Sequence, residues 1–368
     1  MSEKPFKFSI PTIHYLNVDG TLSPSCKLQI ASDILIKSYK VMALTRHIDE
    51  RMIILQRQGS ITFAMSSRGE EACAVASAAA LKIGDWVYPQ YRESGSLFWR
   101  GFTPMQYIHH MFCNSKDFSK GRQMPNHFGS RRHNVVTVSS PIGTKISHSV
   151  GCAYAMKIQK EKNVSICYFG EGASSEGDFH AGLNFAAVLK APVIFFCRNN
   201  GYAISTPCSK QFATDGVSPE GFGHGITTYR VDGNDFFALF ETVSLARKQC
   251  LEGKGPVFIE AMTYRLLAHS SSDDPTRYRE SEEVKIHEAE CPLLRLCLYL
   301  EKNGLWDKCQ EERLAQDIKF EVDAAIQVAR NTPPPSLNTI VEDVYFEIPF
   351  RLKQQYEMLK TFFPQTEI

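Results

Sequence analysis

Two kinds of apolar order meet between Val164 and Cys197. Val164 to Phe169 is a largely apolar run, β-branched and aromatic in character and closed by Gly170-Glu171-Gly172, the pattern of a strand buried on both faces of a sheet. Phe179, Leu183, Ala186 and Ala187 then recur at helical spacing, with Ser174 or Ser175 placed to cap the helix and Asp178 in its first turn. Pro192 to Cys197 reads as a second buried strand. Strand, helix and strand in that order form a βαβ unit, whose right-handed crossover brings Gly170 to Gly172 and Asn199 to Asn200 to one sheet edge.

The same reading extends along the chain. Leu28 to Gln58 is helical, with Leu44, Ile48, Met52 and Leu55 on one face and Gly59 as breaker, and Arg68 to Leu81 is a second, Ala-rich helix. Asp85 to Tyr88 is a short strand that ends in Gln90-Tyr91-Arg92-Glu93. Ile146 to Gln159 is a helix whose Gly151, Ala153 and Ala155 are expected to permit close packing. Ile226 to Val231 and Pro256 to Thr263 are further strands, joined by a turn and N-cap at Asp232 to Asp235 and a helix ending near Gly253. Residues 282–330 are helical and charged, and Thr332 to Ser336 is a stiff, Pro-rich linker. A last helix from about Pro349 to Phe363 carries Met358, Leu359, Phe362 and Phe363, an apolar cluster that calls for a packing partner on this or another subunit. The expected organisation is an N-terminal arm lying on a surface over residues 1–27, one α/β domain with a mainly parallel sheet over 28–330, and a linker with a C-terminal helix over 331–368.

At 368 residues and 43% apolar content the chain can bury one full core. Its 41 basic and 40 acidic residues leave a formal charge of +1, so nothing in the charge balance attracts nucleic acid or an anionic membrane. No apolar run approaches the length of a membrane span. Met1-Ser2-Glu3-Lys4-Pro5 opens neither a signal peptide nor an Arg-rich transit sequence, so any targeting segment is expected to have been removed. The eleven cysteines include no C-x-x-C pair and lie mostly in apolar segments, which predicts reduced thiols and indicates neither zinc nor disulfides.

The edge at Gly170 and Asn200 suits a diphosphate. Glycines let the backbone approach it, a helix N-terminus offers free N–H groups, and Glu171 with Asn200 supplies oxygens for a hard cation. The rival is a dinucleotide site, since Gly170 to Ser175 resembles G-x-G-x-x-G without its third glycine. That reading needs an acidic residue at the tip of the second strand, where this chain has Arg198-Asn199-Asn200. A carboxylate in the turn is explained when a divalent ion bridges it to phosphate. Taken singly, Gly-Glu-Gly and Asn-Asn-Gly are as well read as plain turns, and Arg92 and His269 as solvated or structural residues. His269 gains weight because it follows a parallel strand at the same edge.

Gly170-Glu171-Gly172-Ala173-Ser174-Ser175-Glu176-Gly177-Asp178 and the stretch Arg198 to Thr206 closely resemble the thiamin diphosphate motif of the α subunits of branched-chain 2-oxo acid dehydrogenases, the decarboxylating E1 components. The resemblance runs from about residue 28 and is strongest between 91 and 280. It implies a three-layer α/β thiamin-binding fold and the activity of 3-methyl-2-oxobutanoate dehydrogenase (2-methylpropanoyl-transferring), with acyl transfer to the lipoyl group of a partner acyltransferase. It further implies Mg²⁺ held by Glu171, Asn200 and the Tyr202 carbonyl, and thiamin diphosphate held by Tyr91, Arg92, Ser140, Ile142, Gly172, Ala173, Arg198 and His269, the last also the candidate acid or base. His127 belongs to a nearby loop of the same resemblance. Ser139, Pro141 and Thr144 match a potassium loop, but Lys145 stands where relatives carry Gln, so its ammonium either replaces the ion or points to solvent. Ser270 matches a regulatory phosphoserine, and Glu280 occupies the place of a second one. The implied assembly is α2β2 with a separate β subunit, in the mitochondrial matrix or alternatively the bacterial cytoplasm. A pyruvate dehydrogenase α subunit is the nearest rival, since those usually read Asn-Asn-Lys-Tyr where this chain has Asn-Asn-Gly-Tyr, and a silent regulatory subunit is another.

Overall fold

Runs with no polar face have become the middle of a sheet. The computed structural model describes residues 9–363, so the parts of the expected arm and C-terminal segment at 1–8 and 364–368 lie outside the described residues. In chain order the strands are β1 (Thr12–Ile13), β2 (Trp86–Tyr88), β3 (Ser165–Gly170), β4 (Val193–Asn199), β5 (Tyr202–Ala203), β6 (Thr206–Pro207), β7 (Thr227–Asp232) and β8 (Val257–Met262). One sheet has the order β1-β7-β8-β4-β3-β2, with every neighbouring pair parallel, and β5 and β6 form a separate antiparallel pair. β4 is buried along its whole length and β3 up to its last residue, which is why both read as unbroken apolar runs.

The helices are α1 (Ser32–Arg57), α2 (Glu71–Ala80), α3 (Ser94–Trp99), α4 (Pro104–Met111), α5 (Thr144–Ile158), α6 (Gly177–Leu189), α7 (Ser218–Gly223), α8 (Phe236–Leu251), α9 (Ser281–Glu288), α10 (Pro292–Lys302), α11 (Lys308–Arg330) and α12 (Phe350–Phe362). Alternate strand residues feed two cores, so the fold has three layers. Ile166, Tyr168, Ile194 and Phe196 join Met42, Ile48, Val75, Leu239 and Val322 on one face. Cys167, Phe169, Phe195 and Phe258 join Ile146, Val150, Phe179 and Leu183 on the other. Among the described residues no helix is long and apolar enough to cross a membrane.

Two local expectations are corrected. Neither Ser174 nor Ser175 caps α6: residues 171–175 take a 3-10 turn in which the Ser174 hydroxyl donates to the Glu171 carbonyl (2.7 Å), and Glu176 becomes the N-cap. Gly151 and Ala155 face solvent, and only Ala153 of the three small residues is buried. The close approach between α5 and α6 is made instead at Gly182, where a Cβ would lie 2.7 Å from Ile146 Cγ2. On α12, Met358 and Phe362 are 62% and 65% exposed among the described residues, which leaves the expected packing on another subunit open.

The N-terminal segment is built into the sheet. Thr12 and Ile13 lie in parallel register with Arg230 and Val231 of β7. Asp235, fully buried, caps α8 by accepting from the Ala238 amide (3.0 Å) and also accepts from the amides of Tyr15 (2.5 Å) and Leu16 (2.6 Å). Burial raises its carboxyl pKa and those three amides oppose the rise. Asp235→Ala deletes a cap of about 1 kcal/mol and two bonds to a buried acceptor, so we expect about 3 kcal/mol less stability in urea unfolding. Amide exchange should accelerate at Tyr15 and Leu16, and a loss below about 1 kcal/mol would show that this carboxylate is not the anchor.

Candidate active site

Parallel strands deliver their polar residues to one edge because all of their C-terminal ends lie there. β2 leads into Gln90 to Glu93, β3 into Glu171 and Gly172, β4 into Asn200, and β8 into the loop that carries Arg265 and His269. Between them is a cavity of about 380 Å³. Tyr91, Arg92, Ser140, Ile142, Glu171, Gly172, Ala173, Arg198, Asn200, Tyr202 and His269 all line it. Ser139, Pro141, Thr144, Lys145 and Ser270 do not; Ser270 lines a separate cavity with Arg57 and Arg68.

The cavity floor is a dry lattice of charge. Arg198, 2% exposed, pairs with Glu70 and places Nε 2.6 Å from Glu93 Oε1, while its Nη2 donates to Gln90 (3.3 Å). Arg92, also buried, donates to the carbonyls of Ser66 and His269 (2.7 Å to the latter) and lies 4.0 Å from Glu70. Burial alone would raise the Glu70 carboxyl pKa, but Arg198 and Arg92 hold it below the ordinary value. For Arg198 burial works against the charge, and Glu93 and Glu70 outweigh it, so its pKa is raised. Arg92 has weaker compensation, and burial lowers its pKa.

Glu171 is the exception in this lattice. Its carboxylate is 1% exposed, Oε2 accepts from the Asn200 amide at 3.3 Å, and Oε1 is buried with no hydrogen-bond partner. Burial raises its pKa, with Glu70 adding to the rise. An orphaned buried carboxylate oxygen is costly unless something cationic meets it. Asn200 is turned for the same purpose: its Nδ2 donates to Glu70 (2.9 Å), which identifies the other amide atom as oxygen, and that Oδ1 accepts from the Tyr202 amide (3.2 Å). The Tyr202 carbonyl already accepts from Arg265 at 3.2 Å and has one lone pair left. This donor set of hard oxygens fits a magnesium ion.

Glycine 172 serves packing as well as approach, because a Cβ there would lie 2.7 Å from Ala203 Cβ. His269 borders the cavity with its ring edge-on to Tyr91, centroids 6.1 Å apart, and its amide donates to Asp273 (2.7 Å). Burial, and then Arg92 and Arg265, lower the His269 pKa to about 4. His127 lines the cavity too, its Nε2 2.8 Å from the Ser140 hydroxyl. In the neighbouring loop the Ser139 hydroxyl lies 2.9 Å from that of Thr144, and both donate to the Pro141 carbonyl, at 3.4 and 3.2 Å. Lys145 is 9% exposed, and burial lowers its pKa. The three loop oxygens thus lie within hydrogen-bond reach of one another.

Local reading missed the residues that hold the site. Glu70 reads as the start of α2, and Gln90 and Glu93 as part of a loop, yet they fix Arg198 and the Gly170 amide, which donates to Gln90 at 2.7 Å. Arg265, 1% exposed, donates to the Ile204 carbonyl (2.7 Å) and the Tyr278 hydroxyl (3.0 Å), joining two loops. It holds Ile204 at φ +56°, an unusual conformation for a β-branched residue, at the cavity wall. A signal was present in the sequence: charged residues placed directly beside apolar strands need partners.

The His269 shift has a defined sign. Between about 4 and the ordinary value of 6.5 the unfolded chain holds a proton that the folded chain does not, so stability rises with pH there. The contribution is full above 6.5 and lost as pH falls toward 4. We expect His269→Asn to flatten the denaturation midpoint between pH 4 and 6.5, and NMR titration of the wild type to place the imidazole below 5. A histidine titrating near 6.5 overturns the assignment of this environment.

The family model described as dehydrogenase E1 component matches residues 39–338. The chain is 44% identical to the 2-oxoisovalerate dehydrogenase subunit alpha 2, mitochondrial, of Arabidopsis thaliana over 351 residues, 95% of this chain and 74% of that protein. It is 44% identical to the mitochondrial 2-oxoisovalerate dehydrogenase subunit alpha of Homo sapiens over 352 residues, covering 95% and 79% of the two chains. With the corresponding protein of Caenorhabditis elegans it shares 46% over 326 residues, covering 88% and 75%. A match across most of the chain, together with the parallel sheet and the residues gathered at its edge, shows that the chain belongs to the dehydrogenase E1 component family.

Proposed function

We propose that the chain is the α subunit of a branched-chain 2-oxo acid dehydrogenase, acting in oxidative decarboxylation of branched-chain 2-oxo acids and acyl transfer to the lipoyl group of a partner acyltransferase. The names of its relatives support the substrate class, and the family is thiamin diphosphate-dependent. The observation that carries the reading is the orphaned Glu171 oxygen beside an amide oriented by Glu70.

In this reading Glu171, Asn200 and the Tyr202 carbonyl would hold Mg²⁺. Arg92, Arg198 and His269, with the amides of Gly172 and Ala173, oppose the remaining diphosphate charge. Tyr91, Ser140 and Ile142 position the cofactor, and Ser139, Pro141 and Thr144 offer oxygens to potassium. Bound thiamin diphosphate supplies the carbon nucleophile and the electron sink for decarboxylation. His269, neutral near pH 7, accepts or returns a proton at its ring nitrogen. Phe63, Met65, Met124 and Ile204 supply an apolar part of the cavity wall.

The proposal includes a separate β subunit in an α2β2 assembly, a division at residues 27 and 330, and the mitochondrial matrix, which accords with the word mitochondrial in its relatives' names. The test assays the chain with and without its β subunit and acyltransferase on 2-oxoisovalerate and pyruvate. We expect turnover only in the assembly and kcat/KM at least tenfold higher for 2-oxoisovalerate. Preference for pyruvate, or comparable activity of the single chain, overturns it.

Phosphorylation of Ser270 is proposed to switch the enzyme off. The Ser270 carbonyl accepts from the Asp273 amide (3.1 Å), and Asp273 in turn holds the His269 amide and the Tyr278 hydroxyl (2.5 Å). A phosphate of about −1.5 to −2 charge beside Asp273 repels the carboxylate that organises this loop. Ser270→Glu is expected to lower kcat/KM at least tenfold, and wild-type kinetics in that variant would overturn the switch.

A further inference from the structure

Two histidines and a glutamate meet where α6 and α7 come together, and none of them lines the cavity. Glu220 and His224 are four residues apart, and the His224 amide donates to the Glu220 carbonyl at 3.1 Å, so one helical turn sets both side chains on one face. His180, in the first turn of α6, faces them. Its Nδ1 lies 3.8 Å from Glu220 Oε2, and its ring centre is 6.1 Å from that of His224. One ligand atom from each residue lies within 4.8 Å of the other two.

The frame behind these side chains is rigid. The amides of Val217 and Ser218 donate to buried Glu260 at 2.8 and 3.0 Å, which fixes the start of α7. Gly221 lies against Phe258, where a Cβ would come within 3.0 Å of the Phe258 Cβ. Phe179, next to His180, is fully buried with its ring 6.2 Å from that of Phe258. Both ligand-bearing helices therefore rest on one core residue. The side chains in front of it are free to move: His180 is 50% exposed and Glu220 40%. A tetrahedral ion with bonds of about 2.1 Å needs ligand atoms about 3.4 Å apart, so side-chain rotation of about an ångström closes the site.

We propose that His180, Glu220 and His224 form a second metal site, for a borderline divalent transition ion such as zinc, cobalt or nickel, which ties α6 to α7. Two imidazoles and one carboxylate favour such ions over magnesium, and three protein ligands leave a position for water. The all-oxygen set around Glu171 favours the opposite choice, so the two sites are chemically separable. The cysteine pattern indicated no zinc, and this site uses no thiol.

The test titrates Co²⁺ into the metal-free full chain in saturating Mg²⁺, followed by visible absorption and calorimetry. One equivalent is expected, with d–d bands of nitrogen and oxygen coordination, no thiolate charge-transfer band, and a higher melting temperature. His180→Gln and Glu220→Gln, made separately, should each weaken Co²⁺ binding at least tenfold and leave Mg²⁺-dependent binding of thiamin diphosphate unchanged. Absence of stoichiometric binding, a thiolate band, or binding indifferent to both substitutions overturns the site.

Discussion

Arg198 is held between Glu70 and Glu93 with almost no water, and the edge of the sheet depends on that arrangement. Breaking a buried pair from one side costs about 3–5 kcal/mol, because the remaining charge is left uncompensated. Glu70 also orients Asn200 and approaches Arg92, so one carboxylate sets an amide and two guanidiniums. Of the buried carboxylates Glu70, Glu93 and Glu171, the first two lie against Arg198 or Arg92, and Glu171 has no ion pair among the described residues. Glu171 therefore carries the least compensation, and burial raises its carboxyl pKa.

Support of this kind leaves little freedom in the neighbouring loops. Arg265 links the hairpin of β5 and β6 to the loop after β8, and the contact of Gly172 with Ala203 fixes the hairpin against the turn after β3. The strained Ile204 is therefore held from two directions, one electrostatic and one steric. Precision at the cavity thus depends on contacts between its own wall residues.

The strands and most helices were legible because central parallel strands must be apolar throughout and outer helices must be apolar on one side. Ile166 and Cys167 enter opposite cores for the same reason that they are adjacent in sequence. The gathering of Glu171, Asn200 and His269 was legible from topology, since parallel strands end on the same side. Glu70, Glu93 and Arg265 were not, because nothing local separates a buried ion pair from a solvated one; Glu70 and Arg198 are 128 residues apart. The serine cap failed for a different reason: a 3-10 turn used the Ser174 hydroxyl internally.

The edge strand β1 sets an order of events during synthesis. Thr12 and Ile13 pair with β7, and the amides of Tyr15 and Leu16 wait for Asp235, some 220 residues later in the chain. At ribosomal rates of roughly 5–20 residues per second, that delay is on the order of ten to forty seconds. Throughout it the N-terminal segment has emerged without a place to bind, and the strand that leads the sequence joins the sheet only after its neighbour has been made.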